Sequence, residues 1–124
     1  MSISMDKDKF EKIKKNFEAH GGVIVSSDDI DRHLESTGTE ASAMNENTIL
    51  IRPNKIPSAS AMFEELIHTA QYKAGRATGN NDIDMEIEAK IKLIKYQKQY
   101  EIPDFENDIS KKQIIELLKM KEGV

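Results

Sequence analysis

The chain has 124 residues, of which 38% are hydrophobic and 32% charged, enough for one domain with a modest apolar core. Its formal net charge of −4 argues against a general nucleic-acid binder, because phosphate contacts need clustered lysine and arginine. The lysine-rich stretch 90–98 is the exception, and we predict that it is the solvated side of a helix.

Cysteine is absent, which excludes a disulfide, a cysteine-ligated zinc site and a thiol nucleophile. No apolar run approaches the roughly 20 residues of a membrane span, so no such span is expected. Residues 1–10 do not have the pattern of a signal peptide. We therefore expect either a cytoplasmic protein or a domain of a longer exported one.

The first half of the chain predicts a helix, a strand, a second helix and a hairpin. In that order these elements cover residues 6–20, 23–25, 27–36, and 41–44 with 48–51. Apolar residues recur at helical spacing in the first helix, and the β-branched run 23–25 predicts a buried strand. The asparagine-rich segment 45–47 is typical of a hairpin turn.

The second half predicts three helices. They run from Ser58 or Ser60 to about Ala74, from about Asp82 to Tyr100, and from Ser110 onward. Gly75 and Pro103 follow the first two as helix stops, and residues 110–113 match a capping box. This order of elements predicts a single α+β domain over residues 1–124, with a small sheet packed against helices.

The stretch Glu64-Glu65-Leu66-Ile67-His68 has the form of the zinc-peptidase helix motif H-E-x-x-H, with glutamate in place of the first histidine. At roughly 100° per residue, Glu64, His68 and Gln71 share one side of the helix, opposite an apolar face. Glu64 and His68 are therefore candidate metal ligands. Glu65 and His68 are the candidate catalytic residues, with Glu65 as general base, and Gln71 is a further candidate.

A third ligand is expected from the next helix, since catalytic zinc sites use three protein ligands and a water. Glu86 lies between two apolar stripes of that helix, whereas Glu88 shares its side with charged residues and is predicted to face solvent. A carboxylate bordered by core is costly unless it is paired or metal-bound, which favours Glu86 over Glu88. A simple ion pair with Lys90 is the alternative for Glu86.

Zinc is the expected ion, because it takes nitrogen and oxygen ligands. The carboxylate of Glu64 makes the site harder and shifts the preference toward manganese or iron. A bound ion would lower the pKa of a water toward about 7, so that a nearby carboxylate can take its proton.

Residues 48–51, the stretch from Phe63 to Gln71 and the pattern Glu86-x-x-Ala89 together resemble the small zincin-like metallopeptidase domains. The resemblance covers residues 22–100 and is greatest to the metallopeptidase toxin domains at the C-termini of bacterial polymorphic toxins. It implies a minimal zincin fold with Glu65, His68 and Glu86 as base, ligand and third ligand. The chain departs from the family at Glu64, where a histidine is usual, and at Lys90, where an aspartate or asparagine is frequent.

The resemblance implies a metal-dependent peptidase with a peptide or protein substrate, delivered into a neighbouring cell and matched by an immunity protein. The strand 49–51 would then be the edge that holds an extended substrate. Two alternatives stay open. One is an inactive zincin-fold binding module with a decayed metal site, and the other is a metal-free toxin nuclease that uses Glu65 and His68 as an acid–base pair.

Overall fold

The computed structural model describes residues 3–123, and in that range it has six helices and a three-stranded sheet. The elements in chain order are α1 (Lys7–Ala19), β1 (Val23–Val25), α2 (Asp28–Thr37), β2 (Ala41–Asn45), β3 (Thr48–Ile51), α3 (Ala59–Lys73), α4 (Asp82–Lys95), α5 (Gln97–Tyr100) and α6 (Asp104–Lys121). This is the α+β domain that the sequence predicts. Within the described range, no helix combines the length and apolarity needed to cross a bilayer.

The sheet has the order β1-β3-β2, with β1 parallel to β3 and β2 antiparallel to it. Ile49 of the central strand is fully buried between Ile24 and Ala43 on its two neighbours. The prediction that β1 is buried is wrong, because β1 is an edge strand that leaves Val23 47% exposed. The prediction that β3 is the free edge is also wrong, and the edge beside α3 is β2.

Helix α3 packs across β2 and carries the candidate motif. Ser58 caps its start, because the Ser58 hydroxyl accepts a hydrogen bond from Ala61 N at 3.2 Å. Met62 and Ile67 are buried in the same apolar core as Ile49, which fixes the rotation of the helix about its axis. The opposite face of α3 therefore points toward α4 and the start of α6.

The predicted helix 82–100 is interrupted at Tyr96, so that α4 ends at Lys95 and α5 is a separate short helix. The interruption places the Tyr100 ring parallel to Phe63, with 4.1 Å between the ring centroids. Lys9 also donates a hydrogen bond to Tyr100 O at 2.7 Å. These contacts come from α1 and α3, so the local sequence could not predict the break.

The last helix begins at Asp104, not at Ser110, which lies buried inside α6. Pro103 occupies the N-cap position, and the first turn holds acidic side chains that favour a helix N-terminus. Glu106 in that turn also accepts a hydrogen bond from Ser60 N at 3.1 Å. The capping-box pattern at residues 110–113 therefore does not mark a helix start. The contact between Glu106 and Ser60 supports the turn of α6 that precedes it.

Candidate metal centre

One turn of α3 brings Glu64, Glu65 and His68 together. One ligand atom from each of these side chains lies within 4.8 Å of the others. His68 is buried and the two glutamates are partly buried. The group offers an imidazole and two carboxylates, a donor set that could hold a divalent cation.

Gln71 fixes the orientation of the His68 ring. The Gln71 amide nitrogen donates hydrogen bonds to Met85 O and to Glu88 Oε1, each at 3.0 Å. Its oxygen must then face His68 Nδ1, which lies 2.7 Å away. Nδ1 therefore carries a hydrogen, and Nε2 is directed toward the carboxylates. Metal-binding histidines are commonly oriented through the second ring nitrogen in this way.

His68 Nε2 is a buried atom with no hydrogen-bond partner among residues 3–123. Two carboxylates nevertheless flank it, with Glu86 Oε1 at 3.2 Å and Glu64 Oε2 at 3.8 Å. Both are close enough for strong charge attraction, although neither makes a well-aligned hydrogen bond. Burial lowers the pKa of His68, but the interactions with Glu64, Glu86 and Gln71 outweigh it and raise the pKa to about 11.

The two candidate glutamates of α4 have different surroundings. Glu86 reaches His68 from α4 with its side chain 41% exposed, and it lies outside the tight group of Glu64, Glu65 and His68. The prediction that Glu88 faces solvent is wrong, because its side chain is bonded to Gln71 and paired with Arg76. The loop after α3 brings Arg76 across α4, which the helical periodicity of α4 does not reveal. The role of Glu86 as third ligand stays a prediction.

Lys90 is a cation inside the site. It is 8% exposed, and its Nζ lies 2.7 Å from Glu64 Oε1 and 3.9 Å from Glu86 Oε2. The prediction of a solvated lysine stretch is therefore wrong at this residue. The spacing of four residues between Glu86 and Lys90 predicts their ion pair within α4. The contact of Lys90 with Glu64 joins α4 to α3, so helical spacing could not predict it.

Glu65 is held by the edge strand. Ala43 N–H on β2 donates a hydrogen bond to Glu65 Oε1 at 2.8 Å, and the donor is available because no strand of residues 3–123 pairs with β2 on that side. Burial is the main cause that raises the pKa of Glu65 to about 7, against the hydrogen bond from Ala43. A carboxyl that titrates near neutral pH can both accept and return a proton.

A cleft of about 250 Å³ opens beside these side chains. Its walls come from the start of β2, from the first two turns of α3 and from the first half of α6, and Glu64, Glu65 and Lys90 line it. The candidate base therefore borders a space that can admit a side chain or a short peptide segment.

No protein-family model, curated protein or solved structure matches this chain. The zincin resemblance therefore stays an expectation that depends on the motif.

We expect Glu65→Gln to stabilise the metal-free protein at about pH 8 but not at about pH 5. The pKa of Glu65 rises from 4.5 to about 7 on folding. The protonated carboxyl therefore makes a contribution to the free energy of unfolding that is fully present below the lower value and is lost as pH rises through the higher one. Glutamine stays neutral and can still accept the hydrogen bond from Ala43. Urea unfolding should show a gain of about 1–3 kcal/mol at the higher pH only.

The exposed Glu116→Gln on α6 is the control for this comparison and should show no pH-dependent gain. Equal effects of Glu65→Gln at both pH values would contradict the raised pKa.

We expect Gln71→Leu to lower the free energy of unfolding by about 1–3 kcal/mol, because buried polar groups lose their partners. These groups are His68 Nδ1 and Met85 O, both bonded to Gln71 in the wild type. Gln99→Leu, at an exposed position, is the matched control and should change stability by less than about 0.5 kcal/mol. If urea unfolding gave the same stability for both variants, Gln71 would not hold the ring.

Proposed function

We propose that this protein is a metal-dependent peptidase in which Glu64, His68 and Glu86 hold a divalent ion and Glu65 handles protons. One observation carries the proposal. The buried Nε2 of His68 faces two carboxylates without a hydrogen-bond partner among the described residues, while Gln71 fixes the other ring nitrogen. A ring nitrogen oriented toward two carboxylates in this way is placed as that of a metal-binding histidine would be, once its proton is released.

The donor set fits the proposed ion. One imidazole nitrogen and two carboxylates are donor types that zinc accepts, and the second carboxylate in place of a histidine makes the site harder, which leaves manganese and iron as alternatives. When bound, such an ion would lower the pKa of a water and polarise a peptide carbonyl.

The residues of the chain would supply the proton transfers and hold the substrate. Glu65, held at Oε1 by Ala43, would accept a proton from the attacking water and return it to the leaving amine. Glu65 occupies the edge of β2 at Ala43, so the rest of that edge would pair with an extended peptide. Delivery into a neighbouring cell and pairing with an immunity protein belong to the same proposal and rest on the family resemblance alone.

A binding module without catalysis is the second candidate, and Lys90 is the observation that favours it. Its ammonium lies 2.7 Å from Glu64 Oε1, where it compensates the charge that a metal would otherwise neutralise. The cleft could then hold a partner without any ion. A nuclease is disfavoured, since Glu40, Glu64, Glu65 and Glu106 make the cleft acidic.

We expect purified protein to bind one zinc ion and Glu64→His to bind it at least about tenfold more tightly, because imidazole is the better zinc ligand. Elemental analysis and competition with a chromophoric chelator measure stoichiometry and affinity. Glu11→His, at an exposed position on α1, is the control and should leave the affinity unchanged. Failure to bind zinc, manganese or iron at one equivalent would contradict the peptidase and favour the binding module.

We expect Glu65→Gln to reduce peptide hydrolysis by about 10²–10⁴-fold while metal binding and the fold persist, because the general base is lost. Cleavage of a mixed peptide library, followed by mass spectrometry, measures the rate. Glu46→Gln, in the exposed hairpin turn, should retain the wild-type rate. Hydrolysis that resists chelators, or that survives Glu65→Gln, would exclude the proposed mechanism.

A further inference from the structure

We propose that the cleft beside Glu65 receives a basic side chain, lysine or arginine, and that Glu106 determines this specificity. The substrate class rests on the proposed peptidase function. The recognition itself is a binding property, so it can be tested without hydrolysis.

The cleft is acidic, and some of its charges are already compensated. Glu40 accepts hydrogen bonds from Ser58 N at 3.1 Å and from the Ser58 hydroxyl at 3.0 Å, and Glu64 is paired with Lys90. Lys90 is the one lysine or arginine among the described residues that line the cleft. The remaining acidic residues on the wall are Glu65 and Glu106.

One oxygen of Glu106 has no partner in the part of the chain that the structure describes. The residue is 3% exposed, its Oε1 accepts the hydrogen bond from Ser60 N, and its Oε2 has no hydrogen-bond partner within residues 3–123. A buried carboxylate oxygen without a partner is costly, and a cationic donor would remove that cost. A carboxylate that lines the cleft and has one unpartnered oxygen therefore suits a ligand with a positive charge.

A purely structural role for Glu106 does not account for this oxygen. The hydrogen bond to Ser60 ties the start of α3 to α6, and an acidic residue suits the first turn of α6, but neither role uses Oε2. Lys9 is a cation near Glu106, since both residues line a second, smaller cleft. Its ammonium is directed to Tyr100 O at 2.7 Å and to Glu101 at 3.5 Å instead.

The entrance of the cleft suits the stem of a long basic side chain. Phe105 and Ile109 lie one turn apart on α6, are 37% and 44% exposed, and both line the cleft. Lysine and arginine bury their methylene groups against apolar surface while the charged end makes polar contacts. The stem would pack on these two residues and the charged end would reach Glu106.

Binding of two short peptide libraries tests the proposal. The libraries are identical except for one fixed position, which is lysine in one and methionine in the other. Fluorescence anisotropy is measured without metal on the Glu65→Gln protein, so that no turnover occurs. We expect the lysine library to bind at least about tenfold more tightly, and Glu106→Gln to reduce that preference to about twofold or less.

Two further variants make the result specific. The exposed Glu116→Gln on the same helix should keep the full preference. Ile109→Lys, which adds a competing cation at the exposed entrance, should remove it, and this variant serves if Glu106→Gln does not fold. Equal binding of the two libraries, or an unchanged preference in a folded Glu106→Gln protein, would overturn the proposal. If Glu106→Gln does not fold, an unchanged preference in Ile109→Lys would overturn it instead. Failure of the protein to bind metal would contradict the peptidase alone, because the preference is measured without metal.

Discussion

The burial of His68 between two helices is the constraint on which the site depends. Packing of α3 against β2 and α4 removes its polar face from water, and charged groups there are costly unless they compensate one another. His68 and Lys90 meet Glu64 and Glu86 at this contact. Beyond them, the hydrogen bonds of Gln71 tie the ring of His68 to the backbone and side chains of α4.

Two neighbouring glutamates on α3 acquire opposite pKa shifts, because their surroundings differ. Burial opposes ionisation of both. At Glu64 the contacts with His68 and Lys90 prevail, and its pKa is lowered. Glu65 has a backbone N–H as its hydrogen-bond donor, and its pKa rises to about 7. Carboxyl groups whose pKa values diverge in this way can take different roles, one as a fixed anion and the other as a proton carrier.

Local patterns predicted the parts of this fold that local forces set. The hairpin around residues 45–47, the cap at Ser58 and the shared face of Glu64 and His68 all follow from turn chemistry and helical spacing. Contacts between distant segments decided the rest. The early start of α6 and the buried position of Lys90 each depend on a partner more than twenty residues away, and no periodicity encodes those partners. The hydrogen bond from Ala43 to Glu65 belongs to the same class.

Charge balance relates the proposed metal to the proton on Glu65. In the metal-free protein the raised pKa of His68 makes its ring a cation at neutral pH. This ring and the ammonium of Lys90 lie against the carboxylates of Glu64 and Glu86, and the charges of the four groups cancel if Glu65 is protonated. A divalent cation would require His68 to lose the proton on Nε2, because this nitrogen needs its lone pair to coordinate. Balance is then restored only if Glu65 also ionises. A bound cation would therefore favour the ionised form of Glu65, which is the form that accepts a proton. Because Lys90 keeps its charge beside Glu64, the loss of a proton from His68 and the loss of a proton from Glu65 would both accompany binding of the cation.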